Sequence, residues 1–229
     1  MNLQGYQKLT LLDFPGKVAC TVFTGGCNFK CPFCHNASLV LSPNAYTSAQ
    51  EDIFIYLASR RGIIDGVCIT GGEPLLQPDI EDFIIKVKEL GLLVKLDTNG
   101  SFPDKLKNLI DKGLLDYVAM DIKSSKENYS KLCGVDVSIE NIEKSVEIIT
   151  TSGVPYEFRT TAVKELHTKE DFLNIGIWLK GVNKYFIQGF VDSGNLIEDG
   201  LSAFSFEQMQ EILEIVKQNI PEAELRGLN

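Results

Sequence analysis

Strand-like and helix-like patterns alternate without interruption along this 229-residue chain, and that order limits its fold more than any other property. Val18–Phe23 reads as a first strand, with Val18, Cys20 and Val22 on one face. Ser48 and Glu51 have capping-box spacing and are expected to open a helix carrying Ile53, Phe54, Leu57 and Ala58. A short buried strand, Gly66–Thr70, runs into Gly71-Gly72-Glu73-Pro74. Between Pro78 and Gly91 the apolar residues Ile80, Phe83, Ile84, Val87 and Leu90 recur at helical spacing, with acids at the start and lysines at the end. Leu92–Leu96 is the next strand and ends in Asp97-Thr98-Asn99-Gly100. Leu106, Leu109 and Ile110 mark a helix stopped by Gly113, and the strand Leu115–Met120 leads into Asp121-Ile122-Lys123.

The second half repeats this order. Ile139, Ile142, Val146 and Ile149 mark a helix ended by Gly153. Tyr156–Val163 is a strand that contains Arg159. Thr168–Lys180 is a helix, and Tyr185–Ile187 is a strand closing on Gln188-Gly189-Phe190. Ser205 with Gln208 opens a last helix through Phe206, Met209, Ile212, Leu213 and Val216. Such alternation calls for an α/β fold, a parallel sheet flanked by helices. About six strands are too few for an eightfold barrel, which leaves a partial barrel or an open doubly wound sheet. No linker or repeat divides residues 1–229, so a single domain is expected. In either architecture ligands gather at the carboxyl ends of the strands, where the polar motifs fall.

The loop after the first strand carries Cys27, Cys31 and Cys34 at CxxxCxxC spacing. Thiolates suit an iron–sulfur cluster or zinc. Three cysteines on a four-iron cubane leave one iron open for a ligand, whereas structural zinc normally takes four protein ligands. The nearest histidine, His35, adjoins Cys34 and is poorly placed to share one ion with it. Unligated thiols are the third alternative. Cys20, Cys68 and Cys133 have no CxxC partners, and Cys68 reads as strand core.

Composition excludes several classes of function. A net charge of −9 with no basic run opposes nucleic-acid binding. No segment has the roughly 18 apolar residues of a membrane span. Residues 1–12 lack the pattern of a signal peptide, and six cysteines without an export signal fit a reducing, cytoplasmic setting. Neither GxxxxGK[ST] nor GxGxxG is present, so phosphate-loop and dinucleotide binding are unsupported. The two glycines before Glu73 instead let a ligand approach the backbone closely. Glu73, Asp97 and Asp121 offer acceptors for an amine, and Lys123 or Arg159 a partner for a carboxylate, a set suited to a zwitterion. His167 is expected at the surface.

The CxxxCxxC motif with Phe33 before its third cysteine, followed by GGEP and four more strands, resembles the radical S-adenosylmethionine enzymes over nearly the whole chain. The resemblance implies a partial (β/α)6 barrel of the TIM type, with the cluster loop after its first strand. Its cofactors would be a [4Fe–4S] cluster on Cys27, Cys31 and Cys34, and S-adenosylmethionine at the open iron. By position, Phe33 and His35 would lie against the adenine, and Gly71, Gly72 and Glu73 would receive the methionine ammonium. Asp97, Thr98, Asp121 and Lys123 would surround the methionine carboxylate, where some relatives hold a monovalent cation. Arg159 would face inward, and Gln188 stands near a position that is histidine in pyruvate formate-lyase activases.

The run from Cys31 to Asn36 is similar to glycyl-radical activating enzymes. The stretch Lys8-Leu9-Thr10-Leu11-Leu12-Asp13-Phe14-Pro15-Gly16-Lys17 is similar to activating proteins of anaerobic ribonucleoside-triphosphate reductase. Pyruvate formate-lyase activases usually carry Asp-Gly-Pro-Gly and a nearby arginine, where this chain has Phe14 and Lys17. The implied activity is formation of a glycyl radical on that reductase through a 5′-deoxyadenosyl radical, with no acid–base pair required. The implied partners are the glycyl-radical enzyme and a flavodoxin- or ferredoxin-like electron donor, toward which Lys17 and Lys30 are candidate contacts. The alternatives are activation of another glycyl-radical enzyme, such as pyruvate formate-lyase, and a zinc- or cluster-stabilised binding module.

Overall fold

The computed structural model describes residues 1–43 and 48–228. Its strands are β1 (Leu3–Thr10), β2 (Ala19–Thr24), β3 (Gly66–Gly71), β4 (Leu93–Thr98), β5 (Tyr117–Asp121), β6 (Tyr156–Ala162), β7 (Tyr185–Gly189) and β8 (Glu224–Arg226). They follow one another in chain order in a single sheet. β1 is antiparallel to β2, while the β2–β3, β3–β4, β6–β7 and β7–β8 pairs are parallel. The helices are α1 (Ala37–Leu41), α2 (Gln50–Ser59), α3 (Ile80–Glu89), α4 (Pro103–Asp111), α5 (Tyr129–Cys133), α6 (Ile139–Thr151), α7 (Lys169–Trp178) and α8 (Phe206–Lys217). The expected α/β class is found, and the six anticipated strands are β2 to β7.

Three expectations need correction. β1 and β8 were missed, the first because two register shifts break its period-two pattern and the second because it has three residues. Ser48 does not cap α2: the N-cap is Ala49, without a side-chain hydrogen bond, while the Ser48 N–H donates to the Leu3 carbonyl at 2.7 Å. His167 is not a surface residue, as described below.

The residues group into two compact units. The first comprises 1–28, 38–119 and 141–155, the second 29–37, 120–140 and 156–229. In the first unit, α3 buries Ile80, Phe83, Ile84 and Val87, the face its spacing predicts. Phe14 packs on Ala19 at the start of β2 and on Tyr117, with their rings 6.1 Å apart. At the other end of the strands, the turn after β3 lies directly on the chain that leaves β2. Gly72 N–H donates to the Thr24 carbonyl at 2.8 Å and Glu73 N–H to the Gly26 carbonyl at 2.9 Å. A Cβ on Gly72 would lie 2.0 Å from the Gly26 carbonyl oxygen, so only glycine fits.

In the second unit, α7 and α8 both start with capping boxes. Ser205 and Gln208 exchange hydrogen bonds as their spacing predicts, and Thr168 pairs with Asp171 in the same way. Asp171 is buried and also accepts from Ser125 Oγ at 2.6 Å and Asn128 Nδ2 at 2.7 Å. Burial disfavours its charge, yet the donors from Ser125, Asn128 and Thr168 outweigh it and lower the carboxyl to about 2.

Two outcomes follow. Gly72→Ala destabilises the fold by about 1–3 kcal/mol through the clash with Gly26, read as a lower midpoint in urea unfolding. Because the folded pKa of Asp171 is depressed, its contribution is complete above the unfolded value of about 4 and is lost as pH falls toward the folded value. Asp171→Asn therefore flattens the fall in unfolding free energy between about pH 4 and pH 2, measured by chemical denaturation across that range.

Candidate functional site

The residues singled out by the motifs fall in both units, and each set has its own geometry. In the first unit, Glu73 is fully buried and its carboxylate gathers three donors. Oε1 accepts from Leu75 N–H at 3.0 Å and Thr98 Oγ1 at 2.8 Å, and Oε2 accepts from Asn99 N–H at 2.7 Å. One carboxylate thus locks the Gly71–Gly72 turn, the 3-10 turn Pro74–Leu76 and the end of β4. Gly71 has φ +112°, a conformation that favours glycine. Thr98 therefore serves this knot, while Asp97, the preceding residue, lies on the opposite face of the strand.

The knot extends to the first cysteine. Asn99 Nδ2 donates to Asn28 Oδ1 at 3.0 Å and lies 3.9 Å from Cys27 Sγ, and Ser101 Oγ accepts from Asn28 Nδ2 at 2.9 Å. Asn28 and Asn99 carried no motif of their own, and only the fold reveals their role. On the other face of β4, Asp97 is paired with Lys95, whose side chain is 1% exposed. A lysine inside the apolar run Leu93-Val94-Lys95-Leu96 was also overlooked, because nothing local distinguishes a buried lysine from an exposed one.

In the second unit, Asp121 at the end of β5 is the centre of an ion-pair chain. Lys123 Nζ is 3.0 Å from its Oδ2, and Arg159 Nε donates to its Oδ1 at 3.0 Å. Burial opposes ionisation of Asp121, but Lys123 and Arg159 prevail and hold its carboxyl well below the usual range. Burial likewise opposes the charge on Lys123, and Asp121 raises its pKa despite that. The chain continues through residues the motifs did not mark. Glu157, 2% exposed, faces Arg159 at 3.9 Å and takes a two-pronged contact from Arg226 at 3.0 and 3.2 Å. Gln188, at the end of β7, stands in register with Arg226 on β8.

The cysteine loop of this unit packs on aromatic residues. Phe33 is buried, with Lys123 Nζ 5.9 Å over its ring and the His167 ring 6.3 Å away. His35 is exposed and lies 5.7 Å from the Phe190 ring. Buried His167 accepts from Val163 N–H on Nδ1 at 3.2 Å, which puts the proton of the neutral ring on Nε2, 2.9 Å from the Lys123 carbonyl it donates to. Burial lowers its pKa and keeps it neutral. The histidine is therefore a clamp on the Asp121–Lys123 turn. Its aromatic neighbours in the fold, Phe33 and Phe172, were not visible from its polar sequence surroundings.

All six cysteines are free of disulfides. Cys31 is buried and its pKa is lowered to about 7, chiefly by a hydrogen bond with Cys133 and further by Lys123, against the effect of burial. Burial raises that of Cys34. Cys133, without a partner by spacing, is brought beside Cys31 because Lys30 N–H donates to the Cys133 carbonyl at 2.8 Å. Gly134 permits this approach: a Cβ there would lie 2.3 Å from the Lys30 carbonyl. Among the described residues, no group of three or more His, Cys, Asp or Glu side chains is arranged to hold a metal ion as it stands. The donor set, three unbridged soft thiols on one loop with Cys31 biased toward thiolate, is nevertheless the chemistry an iron–sulfur cluster takes.

No helix among the described residues is long and apolar enough to cross a membrane. Comparison with known proteins gives a consistent picture. The chain is 33% identical over 99% of its length to a Methanocaldococcus jannaschii protein named as a glycyl-radical enzyme activating enzyme, covering 96% of that protein. It is also 32% identical, over 64% of its length, to a Thermococcus kodakarensis protein named as a GTP 3′,8-cyclase, of which it spans 48%.

Among solved structures, Streptococcus suis SuiB bound to S-adenosylmethionine matches with a TM-score of 0.68 at 16% identity, over 90% of this chain and 49% of SuiB. A domain of a pyruvate-formate lyase-activating enzyme from Bacteroides vulgatus matches with a TM-score of 0.55 at 19% identity, over 71% of this chain and 99% of that one. Both share the partial-barrel α/β fold. The Radical SAM superfamily profile matches residues 21–175, from within β2 into α7. Enzymes of this superfamily use a [4Fe–4S] cluster and S-adenosylmethionine. The chain belongs to the radical SAM superfamily and aligns over nearly its whole length with a glycyl-radical enzyme activating enzyme.

Proposed function

We propose that this protein activates an anaerobic ribonucleoside-triphosphate reductase by generating a glycyl radical on it. The observation that carries the reading is the turn hydrogen-bonded through Gly72 to Thr24 and through Glu73 to Gly26, one residue before Cys27. A backbone suited to an amino-acid ligand is thereby joined to the first residue of the cluster motif. The similarity of Lys8–Lys17 to the reductase-activating proteins supports that partner. Superfamily membership supports the cofactors.

Cys27, Cys31 and Cys34 would hold the cluster, which with S-adenosylmethionine would supply one-electron radical chemistry directed at a glycine of the partner. The protein's own part is binding, orientation and exclusion of water. Gly71 and Gly72 present backbone oxygens to the methionine ammonium, and Glu73, held by Leu75, Thr98 and Asn99, fixes that turn. Asp97 and the Asp121–Lys123–Arg159 chain orient the amino-acid end, with Thr98 acting through Glu73. Phe33, His35 and Gln188 receive the adenosine end. A flavodoxin- or ferredoxin-like protein delivers the electron.

The test is anaerobic. The reconstituted, reduced protein is mixed with S-adenosylmethionine and a candidate partner, and electron paramagnetic resonance is recorded. A glycyl doublet with the reductase and none with pyruvate formate-lyase is expected, and Cys31→Ala reduces 5′-deoxyadenosine release to background. Silence with the reductase but a doublet with another partner moves the assignment there. A colourless protein carrying one zinc ion and releasing no nucleoside sinks the radical chemistry altogether. GTP serves as the control substrate, because of the cyclase similarity.

A further inference from the structure

Lys95 is the most deeply buried charge in the first unit that no motif claims. Its side chain is 1% exposed, in a strand whose other residues up to 96 are Leu93, Val94 and Leu96. It lies in a cross-strand row: Thr21 on β2 is in register with Cys68 on β3, and Cys68 with Lys95 on β4. The row is polar throughout. Thr21 Oγ1 donates to Asp13 Oδ2 at 2.5 Å, and Lys95 Nζ stands 3.8 Å from Cys68 Sγ and 5.9 Å over the Tyr117 ring. Two residues further along β4, on the same face, Asp97 receives the Lys95 ammonium on Oδ1, and Cys68 Sγ stands 3.8 Å from the same oxygen.

A buried ion pair is weak evidence for stability, since apolar side chains of similar volume usually hold a core as well or better. Retaining a desolvated lysine here calls for another reason, and Asp97 supplies it. A carboxylate at the end of β4 repels the carboxylate of any amino acid bound at that mouth unless a cation balances it. Lys95 brings that cation from below, on a stem packed within the strand layer, and fixes the direction in which Asp97 points. Building on the function proposed above, we infer that Lys95 is a positioning residue for S-adenosylmethionine. Its ammonium is the built-in counter-cation of Asp97, so the carboxylate meets the ligand charge-balanced and in one orientation without a free monovalent metal ion.

The experiment is calorimetric titration of the cluster-loaded protein with S-adenosylmethionine, in potassium chloride and in tetramethylammonium chloride, whose cation is too large to replace a lysine head group. Wild type binds equally in both salts. Lys95→Met binds roughly 10- to 100-fold more weakly in tetramethylammonium chloride, the range for loss of a supporting partner behind a ligand-binding group, and regains affinity in potassium chloride. Lys95→Arg keeps the indifference to salt. A purely structural lysine would weaken binding in both salts alike, and that result overturns the inference, as does unchanged affinity in Lys95→Met or a wild type that needs potassium. Should Lys95→Met not fold, Lys95→Gln keeps a hydrogen-bond donor without the charge and is read in the same way. A wild-type protein that binds no S-adenosylmethionine in either salt instead overturns the proposed function, and this role with it.

Discussion

A single buried carboxylate holds the loops at the carboxyl ends of β3 and β4 together. Glu73 has no exposed surface, and a charge removed from water is tolerable only when donors replace its hydration. Leu75, Thr98 and Asn99 provide them from two different loops. Charge-assisted hydrogen bonds are stronger than neutral ones, so this carboxylate ties the two segments firmly to each other. Asn99 carries the order onward, its side-chain amide reaching both Asn28 and the sulfur of Cys27. The glycines of the Gly71–Gly72 turn have no side chains of their own to fix them, and Glu73 performs that task.

The second unit solves the same problem with alternating charges. Lys123, Asp121, Arg159, Glu157 and Arg226 form a chain across β5, β6 and β8, closed by the stacking of the Arg226 guanidinium 3.6 Å over Phe186. No member stands as an isolated buried charge, which is the condition for keeping so many ions in a partly buried layer. The sum of the five charges is one net positive, a balance suited to an anionic group. Here the protein orients its lysine and arginine by pairing them with acids, whereas the first unit relies on a backbone cradle around one acid.

How much of this could be read from the residues follows from range. Helices with a clean apolar stripe, such as α3, and boxes such as Ser205–Gln208 are local, and their sequence contains the answer. The strand-end positions of Asp97, Asp121 and Lys123 were likewise legible, because alternation places them. What escaped depends on partners distant in the chain. Arg226 meets Glu157 across 69 positions, and Lys95 meets Cys68 across 27. Cys133 reaches the cysteine loop only because Gly134 lets the backbone of Lys30 come close. His167 was expected at the surface from its place near a helix start, but Phe33 from the cysteine loop and Phe172 from α7 lie against its ring. Ser48 is not the cap because α2 begins one residue later, with Ala49 at its N-cap, and the Ser48 N–H pairs with Leu3 of β1, a strand whose broken pattern concealed it.

That irregular strand has a consequence for how the molecule behaves in a crowded solution. β1 is the terminal member of the sheet, where unpaired backbone groups invite other chains to add on. Its pairing with β2 slips between Leu3 and Gly5 and again between Gln7 and Thr10, and Gln7, Lys8 and Leu9 are exposed. A flat, regular border would template self-association. A kinked one carrying a lysine offers no continuous ladder for a neighbour to copy.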